Sequence, residues 1–83
     1  MLEFKYDTQL LIEGKGLNED GIGEYIAANI EGDSLIAVGG DTLIKIHYHT
    51  NTPWKVLEYC AGLGDIYDVV VENMERQEQG LQG

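Results

Sequence analysis

Eighty-three residues, 43% hydrophobic and 24% charged, suffice for one small globular domain and exclude both a second domain and a disordered chain. Fifteen acidic against five basic side chains leave a formal net charge of −10, a surface that repels phosphate backbones and excludes nucleic acid as a partner. The single cysteine, Cys60, excludes an internal disulfide and any Cys-x-x-Cys site. The longest uncharged apolar run, Leu35 to Val38, is too short for a transmembrane segment, and residues 1–15 lack a signal-peptide pattern, so a cytoplasmic location is expected.

Residues 3–12 alternate, with Phe4, Tyr6, Thr8, Leu10 and Ile12 on one side and Glu3, Lys5, Asp7 and Gln9 on the other. That period of two predicts a half-buried first strand, ended by Gly14-Lys15-Gly16. Asn18 reads as the N-cap of a helix, with Glu19 and Asp20 where the helix dipole favours negative charge. Ile22, Tyr25, Ile26, Asn29 and Ile30 recur on one helical face, and Gly32 is the expected C-terminal cap. Gly21 and Gly23 weaken this helix by up to about 1 kcal/mol each relative to alanine, so it depends on packing.

Ser34 to Val38 predicts a short apolar strand, Gly39-Gly40-Asp41 a tight hairpin, and Thr42 to Thr50 the return strand. Thr52-Pro53 starts a second helix, Thr52 as cap and Pro53 at the first helical position. Val56, Leu57, Cys60, Ala61 and Gly64 follow at helical spacing, and Gly62 and Gly64 close it. Ile66 to Val71 is a last strand. Residues 75–83, rich in Gln, Glu and Gly, read as a flexible tail or linker after a single domain over 1–74.

The order β-α-β-β-α-β predicts an α+β fold, the ferredoxin-like split βαββαβ sandwich: a four-stranded antiparallel sheet with two helices on one face. In that topology the strand order is 4-1-3-2, so the first and third strands are central neighbours and the other sheet face stays open.

Ile44, Ile46 and Tyr48 of the third strand should meet the helices, which leaves Leu43, Lys45, His47 and His49 on the open face. Two imidazoles two residues apart on a strand point the same way and suit one metal ion. If register brings Asp7 opposite, Asp7, His47 and His49 form a three-ligand metal set with a position left for water or substrate, the arrangement of catalytic rather than closed structural zinc sites. The plainer alternative is a solvated polar face on which Asp7 faces Lys45. Thr50, Asn51 and Thr52 lead into the second helix, whose N-terminal N–H groups suit a phosphate or carboxylate, with simple capping as the alternative. Cys60 is expected as a core residue, Trp54 as either a packing residue or a binding anchor, and Glu72 on the open face if Tyr67, Val69 and Val71 point inward. No nucleotide-binding loop is present, since Gly14-Lys15-Gly16 does not make one.

At His47-Tyr48-His49-Thr50-Asn51-Thr52-Pro53 the chain resembles the middle domain of the fatty-acid kinase A subunit, in the dihydroxyacetone-kinase-like family. Tyr6-Asp7-Thr8-Gln9, Gly32-Asp33-Ser34-Leu35, Val56-Leu57-Glu58-Tyr59, Gly64-Asp65-Ile66 and Val71-Glu72-Asn73-Met74-Glu75-Arg76-Gln77 extend the likeness over residues 4–77 in order. The resemblance implies a middle domain that supports phosphoryl transfer from ATP, bound with magnesium on an upstream helical domain, to a fatty acid held by a DegV-type carrier protein. It implies His47 and His49 as catalytic residues that also hold zinc, and no activity for the domain alone; Thr50, Asn51 and Thr52, at the second helix's N-terminus beside them, are the expected phosphate- or substrate-contacting residues. The family pattern has a cysteine where this chain has Asp7, whose harder oxygen admits magnesium or manganese as well as zinc. The contrasting expectation is a non-catalytic assembly module that joins nucleotide-binding domains or forms a homodimer through the open face or the edge strands.

Overall fold

Strand β1, Tyr6–Glu13, buries Thr8, Leu10 and Ile12 and leaves the intervening side chains partly accessible, as its alternation requires. Helix α1, Glu19–Asn29, starts at Asn18, whose side-chain oxygen accepts the Gly21 N–H at 3.0 Å, and buries Ile22 and Ile26. At eleven residues it is too short to persist alone, and packing over the second strand holds it. Strands β2, Gly32–Gly39, and β3, Leu43–Thr50, form the expected hairpin. Helix α2, Pro53–Ala61, buries Val56 and Cys60, and strand β4, Asp65–Asn73, returns along β1. The computed structural model describes residues 2–83.

The sheet order is β2-β3-β1-β4 with every neighbouring pair antiparallel, the expected order read from the other edge. Leu10, Ile12, Ile44, Ile46 and Tyr48 from the sheet meet Ile22, Ile26 and Ile30 at α1 and Val56 and Cys60 from α2 in one core. Both helices therefore cover one face of an α+β fold, and Tyr25 and Tyr59 stack between them with ring centroids 3.9 Å apart. Each isoleucine buried there contributes about 1.5–3 kcal/mol. Neither α1 nor α2 covers the other face. No described helix is long and apolar enough to cross a membrane.

Three expectations are corrected in detail. Gly32 is not the cap of α1: the helix stops at Asn29, Ile30 turns into extended conformation, and Gly32 opens β2. Its glycine serves a close approach, because a Cβ there would collide with the His49 carbonyl oxygen and stand 2.6 Å from the Tyr48 ring. Thr52 occupies the cap position of α2, with Pro53 first in the helix, yet its side chain makes no capping bond; its hydroxyl meets that of Thr50 at 3.3 Å instead. A short helix α3, Met74–Glu78, forms across the start of the expected tail. Asn73 caps it through the Arg76 N–H at 3.0 Å, and the Met74 N–H donates to the Lys5 carbonyl at 2.9 Å.

Candidate metal centre

β1 and β3 lie side by side at the centre of the sheet, and their register sets Asp7 against His49 and Gln9 against His47. Partners in an antiparallel pair share a face, so Asp7, Gln9, His47 and His49 all stand on the side away from α1 and α2. Lys45 is opposite Leu11, four residue pairs along the ladder from Asp7, which removes the reading in which Asp7 faces Lys45. The Asp7 Oδ1 atom is 3.0 Å from His47 Nε2 and 3.9 Å from His49 Nε2. One ligand atom from each of the three residues lies within 4.8 Å of the other two. The imidazole rings meet edge to face with centroids 4.8 Å apart.

The side chains are 18% exposed at Asp7, 20% at His47 and 26% at His49, sheltered yet open to a ligand from solvent. Gln9 Nε2 donates to the Asp7 carboxylate, at 3.2 Å to Oδ2, and steadies it from the same strand. Donor atoms around a tetrahedral zinc with bonds of about 2.0–2.1 Å are roughly 3.4 Å apart. The Asp7–His47 and Asp7–His49 separations of 3.0 and 3.9 Å lie on either side of that value, so these residues could hold a zinc-sized cation. Two imidazoles and one carboxylate also leave a coordination position open.

Three further side chains frame the cluster. Glu72 of β4 is the partner of Asp7 on the far side of β1, so it does stand on the open face, where Gln77 Nε2 donates to it at 3.2 Å. The expectation that Tyr67 points inward fails, because a register shift between Gln9 and Leu11 sets Tyr67 beside Leu11 on the open face while Val71 remains beside Thr8. Asp33 of β2 is opposite His49, its Oδ1 atom 3.6 Å from His49 Nδ1. Sequence reasoning passed over Asp33, since alternation with Leu35 and Ala37 places it on the helix side. By contrast, His47 Nδ1 is buried with no hydrogen-bond partner among the described residues.

Thr50, Asn51 and Thr52 follow the histidines, but their side chains point into the fold's own bonds. Thr50 is fully buried; its hydroxyl donates to the Glu31 carbonyl at 2.7 Å and accepts the Thr52 N–H at 3.2 Å. Asn51 accepts the Lys5 N–H at 2.8 Å and donates to the Glu3 carbonyl at 3.0 Å, tying the chain's start to this turn. Cys60 is in the core, where burial pushes its thiol up to about 12, so it holds no thiolate for metal or nucleophilic chemistry. Trp54 is 61% exposed and does not pack in the core.

Comparison with known proteins adds the family. The fatty acid kinase A-like middle-domain family matches residues 3–81. Over 48 residues the chain is 40% identical to an uncharacterized protein of Staphylococcus haemolyticus strain JCSC1435 and 38% identical to uncharacterized proteins of Staphylococcus aureus strains USA300 and NCTC 8325. The matched stretch is 58% of this chain and 9% of each relative, so the domain answers to a small part of far longer proteins. With a match that spans nearly its whole length, from the first strand through the helix after β4, the chain belongs to the family of fatty acid kinase A-like middle domains.

Proposed function

We propose that this domain supports phosphoryl transfer in a fatty-acid-kinase-like protein, its contribution being a divalent cation held by Asp7, His47 and His49. The observation that carries the reading is the convergence of these three side chains on the open sheet face of a chain in this family. Bound there, a cation supplies fixed positive charge for a phosphate or carboxylate oxygen. Zinc is the first choice for a site with two imidazoles, and magnesium or manganese is the alternative that the Asp7 oxygen admits. In this reading His47 and His49 orient the cation, Asp7 balances its charge, and Thr50, Asn51 and Thr52 shape the turn that holds β3 against the start of α2. ATP binds on an upstream helical domain outside this chain, a DegV-type carrier presents the fatty acid, and the assembly works in the cytosol.

A second reading, a module that joins domains or copies of the protein, has its own observation. Ile36, Val38, Leu43, Tyr67 and Val70 are exposed, and their partners in register put them on the same open face as the histidines. Substitution His47→Ala in the full-length protein that carries this domain separates the two. Kinase activity lost with assembly intact is the expected result; activity retained favours the assembly module.

A further inference from the structure

An unbroken strand in the register of Ile36–Gly39 would set Asp33 against Thr50, on the buried helix face. The observed pairing is different. The register shifts by one residue between Asp33 and Ile36, so Asp33 is opposite His49 while Ile36 is opposite His47. Leu35 and Ala37 keep their places against the core. The extra residue is accommodated at Ser34, which adopts φ 58°, the left-handed region that non-glycine side chains rarely enter. A bulge of this kind re-aims the side chain beside it. Here it turns one carboxylate from the core to the face that carries the histidines.

The result is an imidazole flanked on both sides. His49 Nε2 looks across to Asp7 on β1 and His49 Nδ1 looks to Asp33 on β2, at 3.9 Å and 3.6 Å. Asp33 is 59% exposed, and at 3.6 Å its Oδ1 stands just beyond hydrogen-bond distance of Nδ1. A carboxylate at one ring nitrogen fixes the proton there and leaves the other nitrogen as the ligand. His47, whose Nδ1 is buried and unpartnered among the described residues, has no such support.

From this geometry we infer that Asp33 is the positioning residue of the site, holding His49 as the Nδ1–H tautomer so that Nε2 faces the cation. The inference rests on the metal reading above for its purpose, but not for its geometry.

Two measurements on the wild-type chain, Asp33→Ala and Asp33→Asn decide it. The first is the tautomer of each imidazole in the metal-free protein, read by long-range proton–nitrogen NMR under conditions where the rings are neutral. The wild type should show His49 protonated at Nδ1. Asp33→Ala should move His49 to the Nε2–H form preferred by free imidazole and leave His47 unchanged, while Asp33→Asn, which retains an acceptor oxygen, should keep the Nδ1–H form. The second is titration with zinc, where Asp33→Ala should bind about tenfold to a hundredfold more weakly than the wild type. A His49 tautomer that is the same in Asp33→Ala as in the wild type overturns the inference, whatever the affinities. Absence of zinc binding in the wild type contradicts the metal reading instead, and the tautomer alone then decides the role of Asp33.

Discussion

Cys60 shows how one residue's surroundings decide its chemistry. Its side chain is fully buried between α2 and the sheet, and desolvation of the charged form holds the thiol at about 12, above the ordinary 9.0. Thiol reagents should therefore label the native chain only through opening of the fold, far more slowly than in denaturant, and rapid native-state labelling would contradict this placement. The same shift sets a pH window. The folded state keeps its proton where the unfolded thiol has lost it, so the stability Cys60 contributes is whole below pH 9 and declines as pH rises from there toward about 12. Denaturant midpoints at neutral and alkaline pH should show that decline, and Cys60→Ser should lessen it. At this scale Phe4, Thr8, Leu10, Ile12, Ile44, Ile46 and Tyr48 were all legible as inward-facing, because alternation in β1 and β3 is unbroken. Asp33 and Tyr67 were not, because a single inserted residue reverses the facing of everything beyond it and leaves no mark on composition.

Between elements, what holds the site in place is the approach of β2 to β3 at its far end. Tyr48 donates its hydroxyl to the Ile30 carbonyl at 2.6 Å and Thr50 donates to the Glu31 carbonyl at 2.7 Å, so the turn from α1 into β2 is fastened to β3 at two alternate residues. Tyr48 and Thr50 flank His49 along the strand, one on each side, and their anchoring sets the direction in which His49 emerges on the opposite face. Gly32 lies in the same contact, and a methyl group there cannot fit against the His49 carbonyl. Gly32→Ala should lower stability by about 1–3 kcal/mol, the range of an overpacked site, and should perturb the His49 amide and ring resonances more than those of Asp7. Unchanged stability would mean that β2 shifts freely away from β3. In the sequence this glycine read as a helix cap, a role with the same residue preference but a different physical reason. The N-cap of α1 at Asn18 was legible because its signal is local, one side chain reaching an N–H three residues on. Helix α3 was hidden for the opposite reason: its five residues carry no apolar period, and a cap at Asn73 with a backbone bond to Lys5 holds them.

Across the whole molecule, the two sheet faces divide the labour. One face is sealed by α1 and α2 over an apolar core; the other presents Asp7, His47 and His49 at one end and exposed Ile36, Val38, Leu43, Tyr67 and Val70 beyond them. The strand order and the order of the first six elements followed from the sequence, because local period and right-handed crossovers leave few arrangements for them. The histidine pair followed from strand parity alone, while its meeting with Asp7 needed the β1–β3 register, which the structure supplies as Asp7 opposite His49. The surface around the cluster belongs to a chain of net charge −10, which draws cations over distances of about 8 Å at physiological salt. Calorimetric titration of the 83-residue chain with zinc reads whether this cluster binds one divalent cation. One ion per chain is expected near pH 7.5, with weaker binding near pH 5.5 because imidazole ligates only when neutral, and none in a His47→Ala, His49→Ala double variant. Zinc that does not bind the wild type at either pH, or that binds the double variant equally well, would contradict that expectation.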